Sequence, residues 1–447
     1  MVKQLSHLLR RMQQVLREPQ PAMPGSRQLV VSLALDATVD VEGESSLLSW
    51  LATQPVYPQF YWQHRQEPEE AAVCGVVRGF RHINDAERFF QRYGSAPDVR
   101  IWGLNGFEQT AQDEGGTAGY LFLPRVEALR LGNQLSLKVN LFSDTSLQED
   151  ADEAAAFVKF LLPAHPIPPL SSHIVAERHQ PSREGWVAML EQALAGIANG
   201  AMEKVVLARC TTLTLSQPLR AASMMAASRA ANHRCFHFML AHNAEQAFMG
   251  SSPERLYLRQ GKMLNTEALA GTVANDDNDR TAEALAQWLM NDSKNQHENQ
   301  LVVEDICQRL HPSTALLDVM PPEVIRLRKV QHLRRSICAT LHQASDAACL
   351  NDLQPTAAVA GLPRHAARAF IREVEPFMRG WYAGSAGYLS LAQAEFCVAL
   401  RSAEIQGKQI NLYAGAGILP GSDPEQEWVE LDNKAAGLKT LFHGEVS

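Results

Sequence analysis

The sequence predicts an α+β fold built from antiparallel sheet and flanking helices, and three observations predict it. Segments such as "YLFLPRVEALRL", "QLSLKVNLF", "KVVLARCTTLTL" and "QINLYAGAGI" carry the composition and alternation of strands. Strands come in runs and helices in runs, instead of the strict βαβ alternation of a parallel sheet. The chain is also long, 447 residues with 46% hydrophobic and 20% charged, which is enough for a large core and more than one unit.

The elements follow in order. "MVKQLSHLLRRMQQVLREP" places Leu5, Leu8, Leu9, Met12, Val15 and Leu16 on one helical stripe. Arg10 and Arg11 interrupt it, so it reads as an amphipathic helix packed on the body and not as a signal peptide. "LLPAHPIPPLSSH", Leu161 to His173, holds four prolines and reads as a connection between residues 1–170, a sheet-containing region integrated with the core, and residues 171–447. Trp186, Met189, Leu190, Ala193, Leu194 and Ile197 mark a helix ending at Asn199-Gly200. "KVVLARCTTLTL", "FHFMLAH", "AFMGSS", "RLYLRQ" and "KMLNTEALAG" follow as strands, with Gln260-Gly261 as a hairpin tip. Helices over Asp279–Met290 and Ser293–Leu310 come next, then the strands "GYLSL", "EFCVALRSAEI" and "QINLYAGAGI", and a last helix from Asp423.

Composition excludes several function classes. Net charge is −8, with no basic cluster dense enough for nucleic acid. No apolar run is long enough to span a membrane. The cysteines number seven and form no CxxC, which argues against a disulfide framework or a zinc site and fits a reducing cytoplasm. His297-Glu298 starts like HExxH, but Leu301 stands where the second histidine belongs.

The acidic stretch "DPEQEWVELDNK" is informative. With Asp423 as N-cap and Pro424 at the first helical position, Glu427, Glu430, Leu431 and Lys434 share a face, while Glu425 and Asp432 lie opposite in solvent. Taken alone, acidic residues in a first turn only complement the helix dipole. A second helix, "SKNQHENQLVVEDICQRL", has Leu301, Val302 and Ile306 as its buried stripe and Glu298 on the stripe's edge. Two carboxylates facing one cavity are costly without a cation between them. Oxygen ligands with no thiolate or imidazole suit Mg²⁺ completed by water and substrate.

The blocks "KVVLAR", "GSSPERL", "EALAGTVAN", "KNQHEN", "QPTAAVAGLPR", "WYAGSAGY", "LYAGAGI" and "GSDPEQEWVELDNKAAGL" occur in that order. From Ser182 to the C-terminus they resemble the chorismate-binding enzymes, a family that includes anthranilate synthase large components and aminodeoxychorismate, salicylate and isochorismate synthases. The likeness to the isochorismate synthases of the menaquinone pathway extends upstream, to "YPQFYWQ" and "RIWGLNGF". The resemblance implies an α/β/α sandwich of two large antiparallel sheets with the active site in a cleft. It implies that Lys204 activates water and that Glu254 is the general acid. It assigns Mg²⁺ to Glu298 and Glu430, with Glu427 ligating through water. It places the enolpyruvyl carboxylate of chorismate on Arg401, and other substrate contacts on Gly271, Gly415, Gly417 and Lys434, with Tyr382 and His332 as further candidates. Leu269, Ala357 and Ala358 would form the cleft floor. No organic cofactor is implied, and the sequence does not fix an oligomeric state. Many relatives carry an acid three residues before the first metal glutamate; here that position is Asn295, which implies weaker metal binding.

Two positions narrow the chemistry. Ammonia-using relatives lack a lysine at the Lys204 position, and water needs a base more than an amine does. An apolar strand face shared with Val206 and Ala208, and a nearby divalent cation, would both favour a neutral Lys204 amine. Ala270 stands where aminodeoxychorismate synthase has a nucleophilic lysine, so that mechanism is absent. The reading is therefore a Mg²⁺-dependent, reversible isochorismate synthase. Salicylate synthase, which goes on to eliminate pyruvate, and a catalytically silent chorismate-binding subunit are the alternatives.

Overall fold

A computed structural model describes residues 2–35, 46–94, 96–108 and 119–442. The N-terminal stripe does what its spacing predicts: Leu5, Leu8, Leu9, Met12 and Leu16 of helix Val2–Val15 and the residue after it are buried against the body. Leu161–His173 has no regular structure, as its prolines require. It is nevertheless anchored, because Gln54 exchanges hydrogen bonds of 3.0 and 2.8 Å with the Leu162 backbone and Ser223 donates to Pro168 O at 2.7 Å.

All strand pairs are antiparallel and join into one continuous network with two arms. One arm runs from Gly25–Ala34 through Gln134–Ser143, Tyr120–Leu131, Glu69–Phe80, Gln59–Gln63, Phe236–Asn243, Gln246–Ser252, Ser402–Gln406 and Gln409–Ile418 to Lys204–Leu215. The other runs from Tyr120–Leu131 through Ile101–Asn105, Ser385–Leu389, Gln393–Val398, Arg255–Gln260 and Met263–Ala274 to Val330–Leu341. Residues before and after the proline-rich connection thus share both arms. Separate apolar cores lie against the sheets, one centred on Trp62, Trp102, Tyr388 and Trp186 and one on Trp50, Tyr61, Met239 and Ile405.

One expected strand divides. "EFCVALRSAEI" forms Gln393–Val398 and Ser402–Gln406, separated by Ala399–Arg401. The two pieces belong to different arms, so the chain must leave one sheet to enter the other, and Arg401 takes a left-handed backbone with φ 47° to do so. Next to it, Pro253-Glu254 separates Gln246–Ser252 from Arg255–Gln260 in the same way. A bulge at Leu269–Thr272 interrupts the neighbouring strand.

Strand Lys204–Leu215 has a gap on its outer edge. Gly361–Leu362 pairs with its first residues and Ile174–Gln180 with its last. Between them, side chains complete the ladder: Arg379 donates to Val206 O at 2.7 Å and Val359 O at 2.8 Å, and Glu375 accepts the Ala208 N–H at 2.8 Å. Arg379 and Glu375 are a buried ion pair, with side chains 2% and 1% exposed. Removing one partner of such a pair costs about 3–5 kcal/mol because the other charge is left buried. Arg379→Met is therefore expected to lower unfolding free energy by about that amount, measured from urea denaturation midpoints. Asp279→Asn, which cuts the exposed pair with Arg326 (92% and 37% exposed), is expected to cost less than about 1 kcal/mol.

Candidate active site

The crossovers, the bulge and two helices surround one partly open cleft with a mixed polar and apolar lining. Glu254, Leu269, Gly271, Glu298, His332, Ala358, Tyr382, Arg401, Gly415, Gly417 and Lys434 all line it. These are eleven of the fifteen positions expected from sequence to act on metal or substrate or to form the cleft floor. Lys204, Glu427 and Glu430 stand beside the lining. Ala357 is corrected: it is buried in the core under the cleft, and Ala358 alone of the two alanines forms the wall.

Lys204 opens its strand and is wholly buried, with Nζ 3.0 Å from Glu298 Oε1 and not aligned for a hydrogen bond. Strand Gln409–Ile418 runs alongside and presents Gly417 opposite Val206. A Cβ at Gly417 would sit 2.4 Å from Glu298 Oε1 and 3.1 Å from Lys204 Cε. Glycine is therefore required for amine and carboxylate to meet. Glu298 is held in place by its neighbour Asn299, whose amide donates to the carbonyls of Ala268, Ala270 and Leu333 at 3.1–3.2 Å. That clasp ties the helix to the cleft strand; it lies in the "KNQHEN" block, but nothing in the sequence alone marked it.

The last helix starts as expected. Asp423 accepts from the Glu425 and Gln426 N–H groups at 3.1 and 3.0 Å, with Pro424 first in the helix. Lys434 Nζ lies 2.6 Å from Glu430 Oε1 and donates to Gly415 O at 2.8 Å, joining this helix to the glycine strand. Lys294 Nζ is 3.4 Å from Glu427 Oε1. Asp432 on the opposite face is exposed, as expected, and also makes an ion pair. It accepts from buried Arg209 at 2.6 Å, and the same guanidinium covers the Trp428 ring at 4.3 Å.

Burial, then the negative charge of Glu267, pushes the Glu254 carboxyl up to about 8, against Arg401, Lys204 and Lys434. At pH 7 this carboxyl is thus held mostly in its protonated form. Burial also works against charge on Glu298, but Lys204 and then Lys434 and Lys294 hold it below the usual carboxylate range. Arg401 donates to His332 Nε2 at 2.6 Å. The Nδ1 proton of His332 therefore faces Thr272 Oγ1 at 3.1 Å and Gly271 O at 3.4 Å. Burial, Arg401 and Lys434 keep this imidazole neutral. Among the described residues no carboxylate lies within ion-pair distance of Arg401, whose guanidinium lines the cleft. Tyr382 stacks on Tyr413 at 5.1 Å and 13°. Tyr413 lines the cleft too; its place in "LYAGAGI", two residues before Gly415, was the available signal.

The donor set fits a hard cation. Glu427 is pushed up to about 7, first by burial and then by Glu430, with Glu298 adding to it. The three carboxylates thus share one negative field, and a lysine ammonium stands against each. Among the described residues, no three His, Cys, Asp or Glu side chains are already gathered as a metal cage. Oxygen donors without sulfur or imidazole suit Mg²⁺. Asn295 does not join this group. It accepts the Thr272 N–H at 3.0 Å and donates to Asp292 at 2.7 Å, so it steadies the backbone after Gly271, whose φ is +88°.

The family profile described as "Chorismate binding enzyme" matches residues 26–442. The chain is 53% identical to isochorismate synthase MenF of Escherichia coli (strain K12) over 441 residues, covering 99% of this chain and 98% of that protein. It is 40% identical over 401 residues to isochorismate synthase MenF of Haemophilus influenzae (strain ATCC 51907 / DSM 11121 / KW20 / Rd), with 89% of each covered. The fold superimposes with a TM-score of 0.92 on the solved structure of MenF, the menaquinone-specific isochorismate synthase from Escherichia coli, at 53% identity and covering 98% of this chain and 100% of that one. With the cleft assembled from the same blocks, these likenesses make the chain a member of the chorismate-binding enzyme family.

Proposed function

We propose that this chain is an isochorismate synthase, an isomerase that converts chorismate reversibly to isochorismate and serves menaquinone synthesis. The observation that carries the reading is one buried site holding both a lysine amine, Lys204, and a carboxyl group kept protonated, Glu254. Likeness to the two MenF proteins over nearly the whole chain supports it.

In this reading Arg401 binds the enolpyruvyl carboxylate, and Tyr382 with the Gly415 and Gly417 backbone fixes the ring. Glu298 and Glu430, supported by Glu427, would hold Mg²⁺, which would supply positive charge for the ring carboxylate and so favour attack on the ring. Lys204, once in its neutral amine form, takes a proton from the water that attacks C2, and Glu254 gives its proton to the departing C4 hydroxyl. One C–O bond forms and a similar one breaks, so the reverse reaction uses the same two groups with exchanged roles. Leu269 and Ala358 shape the cleft without a hydroxyl that would steer the side chain toward elimination. All seven cysteines are free, and among the described residues no helix is long and apolar enough to cross a membrane. Both fit a reaction carried out in the cytoplasm.

Three outcomes are expected. Purified protein supplied with chorismate should yield isochorismate, and supplied with isochorismate should regenerate chorismate, followed by mass and fluorescence. Stoichiometric release of pyruvate with salicylate would identify a salicylate synthase instead.

Activity should depend on Mg²⁺ and vanish in excess EDTA. Glu298→Gln and Glu430→Gln should fold, with unchanged circular dichroism, and lose turnover. Full turnover in EDTA would remove the metal from this scheme.

Lys204→Ala and Glu254→Gln should each lose about 10²–10⁴-fold in kcat, the usual contribution of a placed proton-transfer group, while chorismate still binds by calorimetry. Because Glu254 must be protonated to donate and is pushed up to about 8, the forward rate should fall as pH rises through that value. Near-normal turnover by Lys204→Ala would mean that another base activates the water.

A further inference from the structure

Arg65 lies outside the cleft, in the turn between Gln59–Gln63 and Glu69–Phe80. Strand Gln59–Gln63 pairs with Phe236–Asn243, and this brings the turn behind the Pro253-Glu254 crossover. There the guanidinium makes three contacts. NH1 donates to Pro253 O at 2.6 Å and to Glu267 Oε1 at 2.6 Å, and NH2 donates to Glu267 Oε2 at 2.7 Å. Glu267 Oε1 also accepts the backbone N–H of Arg255 at 2.7 Å. The residue before Glu254 and the residue after it are therefore tied to one ion pair. The carbonyl of Glu254 itself accepts from Val398 N at 3.0 Å.

We propose that the Arg65–Glu267 pair is a clamp that positions the Glu254 carboxyl in the cleft, with its cationic half supplied by the N-terminal region. The proposal rests on the reading of Glu254 as general acid. The clamp is buried, with side chains 5% and 3% exposed. A buried pair adds little stability over apolar packing. What a forked guanidinium adds is fixed geometry, here closed around the two peptide groups that flank one acid.

The clamp has an electrostatic side as well. Glu254 is faced by Glu267, Arg401, Lys204 and Lys434, and of these Glu267 alone is negative. Glu267 is in turn faced by Arg65, by the Arg255 backbone and, at 3.7 Å, by Arg334. Arg65 is also near Glu395 and Cys235, and Glu395 is itself paired with Arg255 at 2.8 Å and His64 at 3.3 Å. A fixed negative charge beside Glu254 favours its protonated form.

Three variants test this. Arg65→Lys keeps the charge but cannot fork, so it should lower kcat by about 10–100-fold, the scale of a small misplacement of a catalytic group, with the chorismate KM unchanged. Glu267→Gln keeps the shape and removes the charge, so the alkaline limb of the kcat profile should move to lower pH. Arg125→Met is the control for lost stability. It breaks another buried pair of the N-terminal region, with Asp150 at 2.7 Å, and should keep the wild-type pH profile. Wild-type kcat in Arg65→Lys, or a wild-type alkaline limb in Glu267→Gln, overturns the clamp. If Arg65→Lys does not fold, the Glu267→Gln profile decides. Glu254→Gln assayed alongside separates the two assignments: an active Glu254→Gln removes the acid role itself, whereas an inactive one beside unaffected Arg65→Lys and Glu267→Gln removes only the clamp.

Discussion

The whole site depends on the point where two strands change sheets side by side. A strand that leaves one ladder for another must break its hydrogen-bond register, and each freed backbone group needs a new partner. Here the two breaks supply partners to each other: Val398 N donates to Glu254 O at 3.0 Å and Ser251 N donates to Arg401 O at 3.1 Å. The interruption also releases two side chains from the alternation that would send them into a core or into solvent. Those side chains are Glu254, proposed as the acid, and Arg401, proposed to bind the substrate's carboxylate. The left-handed backbone of Arg401 is a strain of about 1–3 kcal/mol that the surrounding ladders hold in place.

Around that point the protein gathers charge it could not hold in an apolar core. Burial, Glu430 and Glu298 raise the cost of ionising Glu427, and Lys204, Lys294 and Lys434 stand against the three carboxylates one by one. Glu254 is separated from this group and remains neutral. Two kinds of carboxyl thus coexist in one cleft: burial and Glu267 raise Glu254 against three nearby cations, whereas Lys204 holds Glu298 down in spite of its burial. Arg401 and His332 follow the same logic. A neutral imidazole accepts from the guanidinium without cancelling its charge, so the attraction for an anionic ligand survives burial.

Much of this was legible in the sequence. Helix starts and stops at Asp423, Asn199-Gly200 and Leu310 obey local rules of capping and periodicity, and the site residues sit in recognisable blocks. What was not legible is long-range. "EFCVALRSAEI" reads as one strand because its alternation is unbroken, and only pairing with two different arms divides it. Asp432 is exposed as its helix face predicts, but its pairing with Arg209 was not legible, because that partner lies more than two hundred residues away in sequence. Ala357 and Ala358 are chemically identical, and backbone direction alone decides which faces the cleft. Arg65 carries no motif; its place comes from a strand pairing across the proline-rich connection.

Arg379 and Glu375 complete the gap in the outer edge of strand Lys204–Leu215. The same arrangement has a meaning for the molecule among its copies. An open strand edge is a template onto which an extended segment of another chain can add. At Val206 and Ala208 the carbonyl and amide that would receive such a segment are already engaged by a guanidinium and a carboxylate. A foreign strand would have to displace a buried ion pair before making its first hydrogen bond, so the strand that carries Lys204 is closed to intermolecular pairing at the place where its own neighbours leave it bare.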